Sequence, residues 1–486
     1  MLATTSSAET ETGVPKTVEA PRFSHTILLT ASQVAKWSLR LVFVAVIARV
    51  MGPEKFGTYA LIFAMVEFLA VASGAGYADY LTREAAKDER VGWGLGLQLF
   101  LLRVAIAIPV AAIEIGILSL MRYPHAVLAG TAWMALTMIP RSLSEAVQGV
   151  LRGTHRYAGF LVIELTLGGS LVAGAVLLFV RNGGLSMAIS AEVVAAAAAG
   201  VAGLALMLRF KTRERIWLSR SHLVKRGAVF NVYSFVVNLY DRFDVVLLSK
   251  LAGDYATGIY ALAYRALVMT QIVPNGVLYS LLPTLSRNPK SSTERARLEK
   301  AMGLLLSTAF VVVLATMVFA GPAVVFVLGP LYAESAIALK ILIWAIVLRY
   351  TNCALNFALL AAGRERVFIM TSLVCLAVNL IGNLVFIPMY SWRAAAVITT
   401  VTEGVLFAQN VYWIRRTVGT LGLPVGAVRS ALTFFALLIV IEAGGRLVPP
   451  LLIGSACVLF FVVYLFLSGL LMEFAAVWGS ERISVG

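Results

Sequence analysis

The chain has 486 residues, 60% of them hydrophobic and 13% charged, with a net charge of +15 and a mean hydropathy of +0.88. Soluble domains carry about 25% charged residues, so this composition excludes a body of this size covered by water. The basic surplus lies in short loops between apolar runs, which argues against a nucleic-acid partner and for topology signals and contacts with anionic membrane lipids.

Residues 1–24 are polar, rich in Thr, Ser and Glu, and lack the apolar stretch of a signal peptide. They are expected to form a disordered cytoplasmic tail. Apolar runs long enough to span then fall at 25–50, 56–78, 92–118, 126–150, 157–180, 184–208, 228–250, 257–285, 302–329, 335–361, 366–389, 394–414, 427–446 and 450–472. Each reaches the ~20 residues that cross a hydrocarbon core. The expected fold is all-α, a polytopic membrane protein with about 14 transmembrane helices. If the N-terminus is cytoplasmic, 25 Lys and Arg fall in cytoplasmic segments and six (Lys55, Arg122, Arg181, Lys250, Arg393, Arg446) in the opposite loops. That bias predicts both termini on the cytoplasmic side.

The stretch from Arg49 through Gly52, Gly57, Tyr59, Ala60 and Leu61 recurs as Lys250, Gly253, Gly258, Tyr260, Ala261 and Leu262, offset by 201 residues throughout. A weaker echo relates Gly153 and Arg156 to Gly363 and Arg366. Both pair positions six spans apart, so the halves share an orientation, as in a parallel repeat about the membrane normal. The glycines fit turns with positive φ, and the tyrosines fit the interfacial belt. The expected organisation is a six-helix bundle over 25–208, a basic cytoplasmic linker over 209–227, a second six-helix bundle over 228–417, two extra helices within 427–472, and a cytoplasmic tail over 473–486.

Charges inside spans are costly, about 2.5–3.5 kcal/mol each at the centre on insertion scales, and should face protein or water. Lys36 and Arg40 share a helix face. With Arg103, Arg141, Arg242, Arg265, Lys340 and Arg349 they are the candidate substrate-binding cations of a lumen for a multiply charged anion such as a pyrophosphate. The alternative for each is internal pairing: Arg141 with Glu145, or Arg242 with the adjacent Asp241 and Asp244. Glu67, Glu145, Glu164, Asp241 and Asp244 are candidates for coupling transport to Na+ or H+. Pro109, Pro140, Pro274, Pro283 and Pro388 interrupt spans and are candidate hinges. Cys353, Cys375 and Cys457 are far apart and suggest neither a disulfide nor a metal site. There is no P-loop, nucleophile elbow or zinc spacing. No cofactor and no catalytic residue is expected, and the outer loops are too short to carry an enzyme's site.

Arg49-x-x-Gly52-Pro53-Glu54-x-Phe56-Gly57-x-Tyr59-Ala60-Leu61 resembles the start of the Wzx-like oligosaccharide and O-antigen flippases of the multidrug/oligosaccharidyl-lipid/polysaccharide exporter superfamily. Gly74-x-Gly76-Tyr77 to Arg83-Glu84, the repeat from Gly253 to Leu262 and the Gly363-Arg364 turn are similar to that family as well. The resemblance implies two bundles like those of multidrug exporters, working by alternating access in a bacterial inner membrane. The implied cargo is an undecaprenyl-pyrophosphate-linked oligosaccharide for exopolysaccharide or O-antigen synthesis, and polysaccharide polymerase or export proteins are the implied partners. Three other readings stand beside it: a peptidoglycan-precursor (lipid II) flippase, a cation-coupled multidrug antiporter and, from another class, a membrane glycosyltransferase or polymerase.

Overall fold

The computed structural model describes residues 23–74, 77–210, 238–239, 241–274, 276–278, 292–422, 424–445 and 448–468. Residues 23 and 24 of the tail expected at 1–24 already belong to a helix. Residues 1–22, the tail expected at 473–486, most of the 209–227 linker, the start of the span expected at 228–250, and Pro283 lie outside the described residues. Within them the chain is helical and contains no strand. This is the form in which a chain this apolar can satisfy its own backbone away from water.

The first half contains α1 (Phe23–Ala72), α2 (Tyr77–Lys87), α3 (Glu89–Leu120), α4 (His125–Ala135), α5 (Met138–Gly153), α6 (Tyr157–Arg181) and α7 (Leu185–Phe210). The second half contains α8 (241–251), α9 (Gly253–Met269), α10 (Ser292–Leu328), α11 (Ala333–Leu342), α12 (Ala345–Ala361), α13 (Glu365–Tyr390) and α14 (Trp392–Thr417). Two further helices, α15 (Val425–Gly444) and α16 (Pro450–Leu467), pack on α10. There, the Ser307 and Ser430 hydroxyls lie 2.7 Å apart, and Gly454 lets α16 close onto Val318.

Among the described residues nine helices are long and apolar enough to cross a membrane, or ten if α11 and α12, bent by 47°, form one span. The fourteen expected crossings exceed that number. The expected crossings outside that count fall in α1, which is broken at Gly52, in α4 and α5, which are 11 and 16 residues long, and around α8, whose start lies outside the described residues.

The repeat's residues do different work than the sequence suggests. Gly52 (φ 76°) breaks α1 into two arms, and Gly253 (φ 85°) breaks α8 from α9; both adopt a conformation that glycine enters without strain. Gly57 and Gly258 are not turn residues. They lie inside their helices, and they meet each other: a methyl group on Gly57 would sit 1.8 Å from the Asp254 carbonyl oxygen, and one on Gly258 would sit 1.9 Å from that of Pro53. Two helix backbones therefore touch where the halves cross. The tyrosines are not at an interface, since Tyr59 and Tyr260 are both fully buried.

Around the crossing, each half reaches into the other. Arg49 donates to the Phe326 and Val327 carbonyls, both at 3.0 Å, at the C-terminal end of α10. Lys250 donates to the Met121 carbonyl, 2.5 Å away, at the C-terminal end of α3. These carbonyls have no helical partner and lie at the negative pole of the helix dipole. Tyr332 donates to the Ala48 carbonyl at 2.9 Å, and Thr58 to the Asp254 carboxylate at 2.7 Å.

Candidate functional site

A cavity of about 360 Å3 lies on the far side of the glycine crossing. Its lining begins at Lys36 on α1 and ends at Met269 on α9, and most of its wall comes from α1, α5, α6 and α7, with α8 and α9 closing it. The two arms of α1 contribute Lys36 and Arg40 from the first and Phe63 and Glu67 from the second, because the Gly52 break folds the helix back on itself.

Five of the eight expected cations line this space: Lys36, Arg40, Arg141, Arg242 and Arg265. Five carboxylates line it as well: Glu67, Glu145, Glu164, Glu192 and Asp241. The lumen is thus balanced in charge rather than cationic, because a buried cation without a counter-charge would be too costly to keep. Lys36 pairs with Glu164 at 3.3 Å, and Arg40 with Glu192 at 2.8 Å. Arg141 holds Glu67 at 2.6 Å and Glu145 at 2.8 Å, so the expected i,i+4 pair forms. Arg103 sits behind the wall, bound to Glu145 at 2.6 Å. Arg242 pairs across to Glu67 at 3.6 Å rather than with its neighbours Asp241 and Asp244.

Arg265 is different. Among the described residues no carboxylate lies within 4 Å of it; instead its guanidinium stands 4.9 Å from the centre of the Phe63 ring. Arg40 stands 4.8 Å and Arg242 5.6 Å from the same ring. Three arginines from three helices converge on one phenyl ring, and the Phe56 and Tyr59 rings also lie near Arg265. Cation–π attraction is worth about 0.5–2 kcal/mol per contact, and two of the three, Arg40 and Arg242, also hold the carboxylates of Glu192 and Glu67.

Arg349 lies deeper in the second half. It donates to Asp241 at 2.8 Å and lies 3.4 Å from Glu403. Asp241 also accepts from Tyr264 at 3.1 Å and faces both the cavity and a close-packed polar cluster. In that cluster Asp244 accepts from the Tyr260 hydroxyl and from the Val245 amide at 2.8 Å, and Tyr260 lies 3.0 Å from the Thr399 hydroxyl. Asn379 and Glu403 complete it, with Asn352 donating to the Glu403 carboxylate at 2.9 Å. Lys340, on α11, lines neither the cavity nor the polar cluster. Among the described residues no three His, Cys, Asp or Glu gather as metal ligands, and the three cysteines are free thiols.

The sequence reading passed over Phe63, Glu192, Tyr59, Asn379, Thr399 and Glu403 as site residues. A signal existed for the tyrosines, which are the one polar side chain repeated at the 201-residue offset. Each donates to a carboxylate of its own half, Tyr59 to Glu192 at 2.5 Å and Tyr260 to Asp244.

A sequence profile of the polysaccharide biosynthesis protein family matches residues 24–288. The chain is 26% identical over 325 residues to the succinoglycan biosynthesis transport protein ExoT of Rhizobium meliloti (strain 1021), covering 62% of this chain and 61% of that one. It is 27% identical over 177 residues to the capsular polysaccharide biosynthesis protein CapF of Staphylococcus aureus, covering 35% of this chain and 44% of that one. These matches thus span less than two thirds of either relative. Among solved structures the fold is similar to the lipid II flippase MurJ in an inward closed conformation, with a TM-score of 0.70 at 13% identity over 92% of this chain and 100% of that one. It is also similar to an inward-facing multidrug resistance MATE family transporter of the MOP superfamily, with a TM-score of 0.62 at 14% identity over 84% and 98% of the two chains.

Proposed function

Because this chain belongs to the polysaccharide biosynthesis protein family and has the fold of the MurJ and MATE transporters, we propose that it carries a lipid-linked oligosaccharide across the bacterial inner membrane, with the diphosphate of an undecaprenyl carrier seated in the cavity. The observation that supports this most directly is the convergence of Arg40, Arg242 and Arg265 on Phe63. A diphosphate offers several oxygens to guanidinium donors that are planar and always charged. Its saccharide would occupy the polar wall formed by Ser144, Gln148 and Asn238.

The basic loops favour cytoplasmic termini, which puts the glycine crossing on the outer side and the cavity within reach of the cytoplasm. Residues 25–208 and 228–417 act as the two rocking bundles, and export requires the crossing to part while the cytoplasmic side closes. Coupling to Na+ or H+ is assigned to Asp244 and the neutral oxygens of Asn379 and Thr399, with Asp241 linking that cluster to the cavity. The carrier diphosphate is common to oligosaccharide intermediates and the peptidoglycan precursor; the likeness to the succinoglycan and capsular polysaccharide proteins favours the former.

Charge reversal tests the reading. Arg265→Glu and Arg40→Glu should each abolish delivery of lipid-linked oligosaccharide to the outer leaflet in vesicles while the protein remains in the membrane. Transport at the wild-type rate by both variants would overturn it.

A further inference from the structure

The cavity's carboxylates are not equivalent. Glu67 and Glu145 are held by arginines: Glu67 by Arg141 with Arg242 beside it, and Glu145 by Arg141 and Arg103. Removing either acid's cation partners would strand a buried charge, a large penalty. Glu164 and Glu192 are built differently. Each holds one cation and one neutral donor. Glu164 accepts from Lys36 at 3.3 Å and from the Gln148 amide at 3.1 Å. Glu192 accepts from Arg40 at 2.8 Å and from the Tyr59 hydroxyl at 2.5 Å. When the cation leaves, the neutral donor remains, and the carboxylate is still hydrogen-bonded.

The cations they hold are within a ligand's reach, as are Arg141 and Arg242, each 33% exposed in the same cavity. Lys36 and Arg40 lie four residues apart on one face of α1 and line the cavity, with side-chain exposures of 44% and 22%. Their acids are nearly enclosed, at 2% and 9%. Each cation has a single carboxylate partner, whereas Arg141 is bound by two and Arg103 is walled in.

We propose that Glu164 and Glu192 are placeholders for the substrate's phosphates. In the empty cavity they neutralise Lys36 and Arg40. An arriving diphosphate takes these two cations in exchange, joining them to Arg265, which is already free of acids, while Gln148 and Tyr59 retain the displaced carboxylates. On release the acids reclaim the cations, which drives the anion out and restores a neutral cavity. The two acids thus set affinity and release by competition, and Tyr59 is a positioning residue acting through Glu192. The inference rests on the diphosphate reading of the cavity.

The test is binding of farnesyl diphosphate, and separately of inorganic pyrophosphate, to the purified full-length protein by calorimetry, together with transport in vesicles. Removing a competitor should tighten binding: about tenfold for Glu192→Gln, whose pair is short and half enclosed, and about threefold for Glu164→Gln, whose lysine is more exposed. Transport by both variants should slow, because release is impaired. Tyr59→Phe removes the reserve donor, ties Glu192 to Arg40, and should weaken binding about threefold. Glu192→Asp keeps the charge and loosens the pair, so it should tighten binding by less than Glu192→Gln; it serves if Glu192→Gln does not fold. A matching trend with inorganic pyrophosphate assigns the effect to the headgroup, and the same trend confined to farnesyl diphosphate overturns it. Unchanged or weaker binding by folded Glu192 and Glu164 variants, with the wild type binding normally, overturns the placeholder role alone. Failure of the wild type to bind either probe overturns the diphosphate reading itself.

Discussion

The two halves share a motif and diverge in what they build from it. In each, a glycine with positive φ precedes a glycine at the crossing, and a fully buried tyrosine two residues further on donates to an acid of its own half. In the first half that acid, Glu192, faces a roomy cavity and holds a reachable arginine. In the second half it is Asp244, buried among Thr399, Asn379 and Glu403 in a cluster with no comparable space. A duplicated scaffold has kept its shape where the halves touch and specialised where they face inward. Under the function proposed above, the large anion is held mainly by the first half and a small cation by the second.

That contrast can be broken or sharpened by substitution. The largest effect is expected at the shared element. Gly57→Val and Gly258→Val place a side chain into the opposing backbone, at an overpacking cost on the order of 1–3 kcal/mol in the closed arrangement of this end. Each should lower vesicle transport by about tenfold or more through the shift in population. Equal losses at both positions would affirm that the crossing is symmetric, and a loss at one alone would break the comparison. Next is Asp244→Asn, expected to reduce steady-state transport several-fold and to remove its response to an imposed Na+ or H+ gradient while leaving diphosphate binding intact. A loss of diphosphate affinity instead would place the two functions in one site. The smallest effect is expected for Lys340→Ala, which should transport within about twofold of wild type, since Lys340 lines neither the cavity nor the polar cluster.

What could be read from the sequence follows a physical divide. Helical spans announce themselves because twenty apolar residues have few other uses, and the repeat was visible because glycine and tyrosine recur at a constant offset. Cavity-facing cations were legible for the same reason that they are rare: Lys36, Arg40, Arg141, Arg242 and Arg265 stand out in apolar surroundings. Their partners were not. Arg40 meets Glu192 across 152 residues and Lys36 meets Glu164 across 128, so local spacing found only Arg141 with Glu145 and wrongly offered Asp241 to Arg242. The balance of charge in the lumen depends on those distant pairings, and so does the convergence on Phe63, whose ring is indistinguishable in sequence from any lipid-facing phenylalanine. Neutral members of the second cluster, Asn379 and Thr399, carry no charge to mark them.

The contact between Gly57 and Gly258 has one more consequence. At the point of contact carbonyl and amide groups of two helices meet directly, with the Asp254 carboxylate held beside them by Thr58. Mobile ions can weaken the affinity of a cavity lined with guanidinium groups, but they have little to screen where backbone meets backbone. Raising ionic strength should therefore loosen the proposed grip on an anionic cargo without prising this end apart.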